Sequence, residues 1–107
     1  MRVSWLIPVR DGTAWLAEAV SSALTQCGED DEVVVVDDGS TDDPASVLPA
    51  DPRLVFLQQP PQGITAALEA GRAQATGELI ARLDADDVAL PGRIAAQKAA
   101  FLADPSL

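Results

Sequence analysis

The chain has 107 residues, 48% of them hydrophobic and 22% charged, which is enough apolar content for one modest core and too much for a disordered tail. Seventeen acidic against seven basic residues give a formal net charge of −10, which repels phosphate backbones and excludes a general nucleic-acid binder, while leaving room for one nucleotide held through a divalent cation. Histidine is absent and Cys27 is the single cysteine, which rules out Ser-His-Asp and Cys-His catalysis, histidine-ligated zinc, thiolate zinc clusters and an internal disulfide.

In chain order, the apolar run Val3 to Val9 predicts a buried strand. Asp11-Gly12-Thr13 follows as a turn with a candidate helix cap. From Ala14 the residues Trp15, Leu16, Ala19, Val20, Ala23 and Leu24 recur at helical spacing, predicting an amphipathic helix that ends near Gly28. Trp5 and Trp15 read as core anchors, and Cys27 as a small buried hydrophobe. Val33 to Val36 is apolar on both faces, as in a central strand of a parallel sheet covered on each side. Asp37 to Thr41 ends it, and a weaker helix is expected over Pro44 to Leu48.

Arg53 to Gln58 is the third strand candidate, stopped by Pro60-Pro61. Thr65 to Ala75 reads as a helix, Glu78 to Leu83 as the fourth strand, and Arg93 to Ala103 as a closing helix with Pro91 in its first turn. The order β-α-β-(α)-β-α-β-α specifies an α/β, doubly wound, mainly parallel sheet in one domain. A helix-like segment runs out at Asp104 to Leu107, where the alternating pattern leads one to expect more chain. No signal peptide and no stretch near the ~20 apolar residues of a membrane span is found, so the expected setting is soluble, reduced and cytoplasmic.

Ligands of open parallel sheets bind beyond the carboxyl ends of the strands. Three such ends carry polar loops: Arg10-Asp11, Asp37 to Ser40, and Asp84 to Asp87. Asp84 and Asp86, two apart in an extended segment, can face one hard cation of the Mg²⁺ or Mn²⁺ type. A solvated loop capping the next helix is the alternative. Asp37 to Thr41 read first as ordinary turn and cap chemistry, with a functional role as the alternative. Arg10 is suited to balancing a buried carboxylate, touching a phosphate, or lying on the surface. Gly63 either brings backbone N–H groups to a phosphate or only makes the turn before a helix.

Val3 to Asp11, VVVVDDGST at Val33 to Thr41, Gly63 to Gly71, and GELIARLDADD at Gly77 to Asp87 with Leu90-Pro91-Gly92-Arg93 together resemble family 2 glycosyltransferases over essentially the whole chain. The resemblance implies a Rossmann-like GT-A fold and transfer of a sugar, with inversion, from a nucleotide diphosphate donor (a UDP-sugar favoured) to an acceptor hydroxyl with Mg²⁺ or Mn²⁺. By position it implies Pro8, Val9 and Arg10 bordering the base, and Asp38 accepting a hydrogen bond from it. Ser40 and Gly63 belong to the same nucleotide site, Asp84 lies by the ribose and metal, and Asp86 ligates the metal. Leu68-Glu69 stands where many members carry Arg-Asn, removing one diphosphate contact. The family's catalytic domain is longer, and its further part supplies the acceptor site and the general base. The 107 residues are therefore expected to be the donor-binding half, inactive alone, with Asp87 a tempting but poorer candidate for the base.

Two other readings use the same residues. A phosphoacceptor receiver domain also binds Mg²⁺ through paired Asp, but it needs a Lys late in the sheet, and Lys98 falls in the last predicted helix. A non-catalytic fragment with an uncovered strand edge would act through self-association as a homodimer.

Overall fold

A computed structural model describes residues Met1 to Asp104; the expected run-out of the chain over 105–107 lies outside them. Four strands, β1 (Val3–Val9), β2 (Glu32–Asp38), β3 (Leu54–Gln59) and β4 (Leu79–Arg82), alternate with helices α1 (Thr13–Thr25), α2 (Ile64–Gln74) and α3 (Arg93–Ala103). The weak helix expected at Pro44 is a short 3-10 turn, Pro44–Val47. All strands pair in parallel in the order β3-β2-β1-β4, which puts β1 and β2 in the interior and β4 at an edge of the described sheet.

The period-2 alternation of β1 divides the core between two faces. Val3, Trp5, Ile7 and Val9 face one side with Val33 and Val35, and meet Leu16, Ala19, Val20 and Ala23 of α1 and Ile94 of α3. Val34 and Val36 face the other side with Ala67 of α2. There α2 comes so close that a Cβ on Gly71 would lie 3.0 Å from both Leu6 Cδ2 and Val36 Cγ2. The sheet is thus wound on both sides, as its apolar strands predict.

Three local expectations change. Trp15 is 55% exposed and anchors no core, because the buried stripe of α1 runs through Leu16, Ala19, Val20 and Ala23 and leaves position 15 on its flank. Pro91 precedes α3 altogether: Gly92, at φ +83°, is the residue before the first helical one, Arg93. Cys27 is half-buried against the core, and burial, reinforced by Asp31, pushes its thiol up to about 11. The thiol therefore stays protonated and inert.

Entry into β4 depends on a glycine. Gly77 N–H donates to Ser4 Oγ at 2.8 Å, and a Cβ at Gly77 would fall 2.5 Å from the Ser4 backbone nitrogen and 2.8 Å from the Val3 carbonyl carbon. Gly77→Ala should therefore destabilise the fold by about 1–3 kcal/mol, as overpacking against backbone does. Urea unfolding checks this: the midpoint falls with little change in slope, and an unchanged midpoint would refute the packing account.

Candidate functional site

The rim at the carboxyl ends of the strands opens because two ladders have different lengths. β1 pairs with β2 as far as Val9 and Asp37, but with β4 only as far as Leu6 and Arg82. The Leu83 N–H reaches the Leu6 carbonyl at 2.9 Å, and the chain then turns away. Pro8, two residues beyond Leu6 and so directed the same way, has no N–H to leave unsatisfied in the gap.

Two adjoining clefts fill this rim. The first, about 170 Å³, is lined by Pro8, Val9, Arg10, Asp38, Gly63, Ile64 and Ala67. The second, about 330 Å³, shares Pro8, Arg10 and Ile64 with it and adds Asp11, Gly12, Trp15, Asp84, Ala85 and Asp86. Of the sequence-predicted residues, Pro8, Val9, Arg10, Asp38 and Gly63 thus meet in one cleft, and Asp84 and Asp86 in its neighbour. Ser40 lines neither; its hydroxyl accepts the Asp11 N–H at 3.0 Å and fixes the loop after β1.

Asp38 is the most constrained group of the site. It is 3% exposed, and its Oδ1 accepts from Gln59 Nε2 at 2.9 Å and from the Gln62 N–H at 2.8 Å. Its Oδ2 accepts the Gly63 N–H at 2.9 Å and keeps a free lone pair for a ligand. The Gly63 N–H is thus spent on Asp38 rather than open to a phosphate, and the residue stands at φ +101°, a conformation that favours glycine. The bond from Gln59, followed by that from the Gln62 amide, lowers the Asp38 pKa, with further help from the Gly63 amide and the Arg10 charge. Burial works against them without prevailing.

The neighbouring loops are tied in the same manner. Asp11, at φ +53°, accepts the Thr41 N–H at 2.7 Å and the Thr41 hydroxyl at 3.0 Å, which lowers its pKa. Asp37 accepts the Ser40 N–H at 2.8 Å. The expected local cap of α1 is absent: Gly12 precedes the helix, and Asp42 from the β2 loop takes the Thr13 N–H at 3.0 Å and the Thr13 hydroxyl at 2.7 Å. Sequence reading missed Gln59, Gln62 and Asp42. The polar cluster 59–63 after a strand was the available signal for the first two.

Asp84 and Asp86 of the second cleft and Asp87 just outside it each bring a carboxylate oxygen within 4.8 Å of the others. An Asp87 N–H to Asp84 carbonyl bond of 3.0 Å closes the turn between them. Oxygen ligands of one Mg²⁺ lie no more than ~4.2 Å apart, twice the metal–oxygen distance. The trio would close up to hold one ion, and its all-carboxylate chemistry suits a hard cation. Asp84 Oδ1 also accepts from Arg82 Nε at 3.1 Å, an exposed pair.

A parallel sheet covered on both faces, with a cleft pair and an acidic loop at its carboxyl rim, is the Rossmann-like arrangement of GT-A proteins. The chain belongs to the family described as Glycosyl transferase family 2, which it matches over residues 4–106. It is 39% identical over 99 residues to an uncharacterized glycosyltransferase of Nostoc sp., covering 88% of this chain and 31% of that protein. It is 34% identical over 109 residues to the hyaluronan synthase of Pasteurella multocida, covering 98% of this chain and 11% of that one. Among solved structures it resembles a mannosyltransferase from Pyrobaculum calidifontis in complex with GDP-Man and Mn²⁺. There the TM-score is 0.85 with 27% identity over 98% of this chain and 33% of that one. S. aureus TarS 1-349 in complex with UDP aligns with TM-score 0.75 and 25% identity over 97% of this chain and 32% of that one. The chain thus spans about a third of the first of these relatives, 31%, and of both structures, 33% and 32%.

The lowered pKa values of Asp38 and Asp11 set a pH dependence. A carboxylate depressed in the fold adds stability that is present above its unfolded value, near 3.8, and is lost as pH falls through the folded value. Urea midpoints should therefore hold steady from pH 7 to about 5 and fall below the ordinary Asp range. Asp38→Asn, which loses an acceptor oxygen and the charge, should lower the midpoint at pH 7 and flatten the acid decline. An identical decline in both proteins would contradict this role.

Proposed function

We propose that this chain is the donor-binding half of a GT-A glycosyltransferase domain, holding a nucleotide diphosphate sugar, a UDP-sugar favoured, for inverting transfer to an acceptor hydroxyl. The observation that carries the reading is the continuity of the two clefts through Pro8, Arg10 and Ile64, with buried Asp38 at one end and the Asp84, Asp86, Asp87 trio at the other. The base enters the first cleft between Pro8, Val9 and Gly63 and donates to the free lone pair of Asp38 Oδ2. Arg10, exposed and without a hydrogen bond among the described residues, lies where the two clefts meet and offers its guanidinium to the diphosphate. Asp84, Asp86 and Asp87 hold Mg²⁺ or Mn²⁺. When bound, the cation offsets the charge that grows on the leaving diphosphate, stabilising the transition state more than the ground state.

The relatives support this reading by what they bind: GDP-Man and Mn²⁺ in the mannosyltransferase and UDP in TarS. The general base and the acceptor site are assigned to chain outside these 107 residues, so the isolated chain binds donor without turnover. No helix among the described residues is long and apolar enough to cross a membrane, and the proposed location is the cytoplasm or the cytoplasmic face of a membrane. An amide-shift NMR titration with UDP, with and without Mg²⁺, tests the proposal. The expected result is Mg²⁺-dependent shifts at Asp38, Gly63 and Asp84 to Asp87, with at least about tenfold weaker Mg²⁺-dependent binding in Asp86→Ala. Equal binding with and without Mg²⁺, or by the variant, would refute the metal role. No shift at Asp38 or Gly63 would refute the base site.

A further inference from the structure

Ser22 on α1 and Gln26, the residue that caps its C-terminus, reach across to the chain that follows the acidic trio. Ser22 Oγ accepts the Ala89 N–H at 2.9 Å while donating to the Ala19 carbonyl at 2.7 Å. Gln26 uses both ends of its amide: Nε2 donates to the Leu90 carbonyl at 2.8 Å and the Ala89 carbonyl at 3.3 Å, and Oε1 accepts the Ile94 N–H at 2.9 Å. The partners fix the amide's orientation, since carbonyls need a donor and an N–H needs an acceptor. Gly92 gives α3 no side-chain cap, so Gln26 supplies one from the end of another helix.

The loop needs this support. It leaves the sheet at Leu83, whose N–H is bonded to Leu6, packs Ala85 partly buried against the core, and is next fully buried at Ala89, 4% exposed. Between these points its own backbone bond is the Asp87 to Asp84 turn. Three carboxylates within 4.8 Å of one another repel, so a loop fixed at one end would relax by splaying. Holding residue 89 and the start of α3 against α1 denies it that freedom.

We infer that Ser22 and Gln26 are positioning residues for the acidic site, keeping Asp84, Asp86 and Asp87 within reach of one cation without touching it. The inference rests on the metal reading of that trio. It extends the site to α1 and its C-cap, whose residues 22 and 26 line neither cleft.

The test uses the 107-residue chain as wild type, Gln26→Leu, Gln26→Glu and Ser22→Ala, with amide hydrogen exchange and the uptake of Mn²⁺ alone, followed by water-proton relaxation. In Gln26→Leu, exchange should rise at Ile94 and across 84–90 while α2 and the turn at 59–63 keep their protection. Its Mn²⁺ affinity should fall at least about tenfold, the lower end of what losing a ligand's support costs. Gln26→Glu keeps the acceptor for Ile94 and loses both donated bonds, so it should fall between wild type and Gln26→Leu. Ser22→Ala should raise exchange at Ala89 with a smaller loss of affinity; it and Gln26→Glu carry the test if Gln26→Leu does not fold. Equal Mn²⁺ affinity in the folded variants overturns the inference, as does exchange that rises uniformly while affinity is kept. If wild type takes up no Mn²⁺, the metal reading fails and exchange alone decides the tether: added exchange confined to 84–94 upholds it, and unchanged exchange overturns it.

Discussion

Carboxylates bonded to backbone amides hold the connections of this domain in place. Asp31 takes the N–H groups of Val3 and Gly28, Asp38 those of Gln62 and Gly63, Asp42 that of Thr13, Asp11 that of Thr41 and Glu32 that of Thr76. Each bond is charge-assisted, and most of them fix chain that lies outside the strands. An excess of acid that looks like a solubility device in composition is, in large part, the means by which loops are fixed to a sheet too small to bury them.

That usage divides the acids at the rim into two kinds. Asp11, Asp37, Asp38 and Asp42 are engaged with the protein and set the shape of the first cleft. Asp84, Asp86 and Asp87 carry no comparable set of amide bonds; the contact shown for their side chains is the exposed Arg82–Asp84 pair. The first group builds a rigid wall and the second leaves acceptor capacity pointing outward, which is the division a metal-assisted nucleotide site needs.

The strands and helices were legible to within about three residues, because apolar runs in β2 and helical spacing in α1 are local signals. The candidate site was legible as a set of strand ends, since Arg10, Asp38 and Asp84 lie at or just beyond them and a parallel sheet gathers its strand ends on one rim. What escaped reading was every tie that skips along the chain: Asp42 capping α1 from 29 residues away, Gln26 reaching Ile94 across 68, and Gln59 supporting Asp38 across 21. Asp42 and Gln26 bond to backbone N–H groups, which carry no residue identity to pattern-match, and Gln59 and Asp38 are two side chains that only the folded sheet brings together. Trp15 was misread because periodicity weighs a large apolar side chain by its chemistry, whereas the flank of α1 places it on the cleft.

The formal charge of −10 also governs how a ligand arrives. On the proposed reading, a bare nucleotide diphosphate would approach this rim against a repulsive field that reaches about 10 Å at 0.1 M salt. Added electrolyte therefore hastens the encounter, the reverse of a cationic nucleotide site. A diphosphate already carrying its cation has shed two negative charges and meets a lower barrier. On the reading proposed above, a donor that arrives with its cation would therefore meet less repulsion than one that arrives bare.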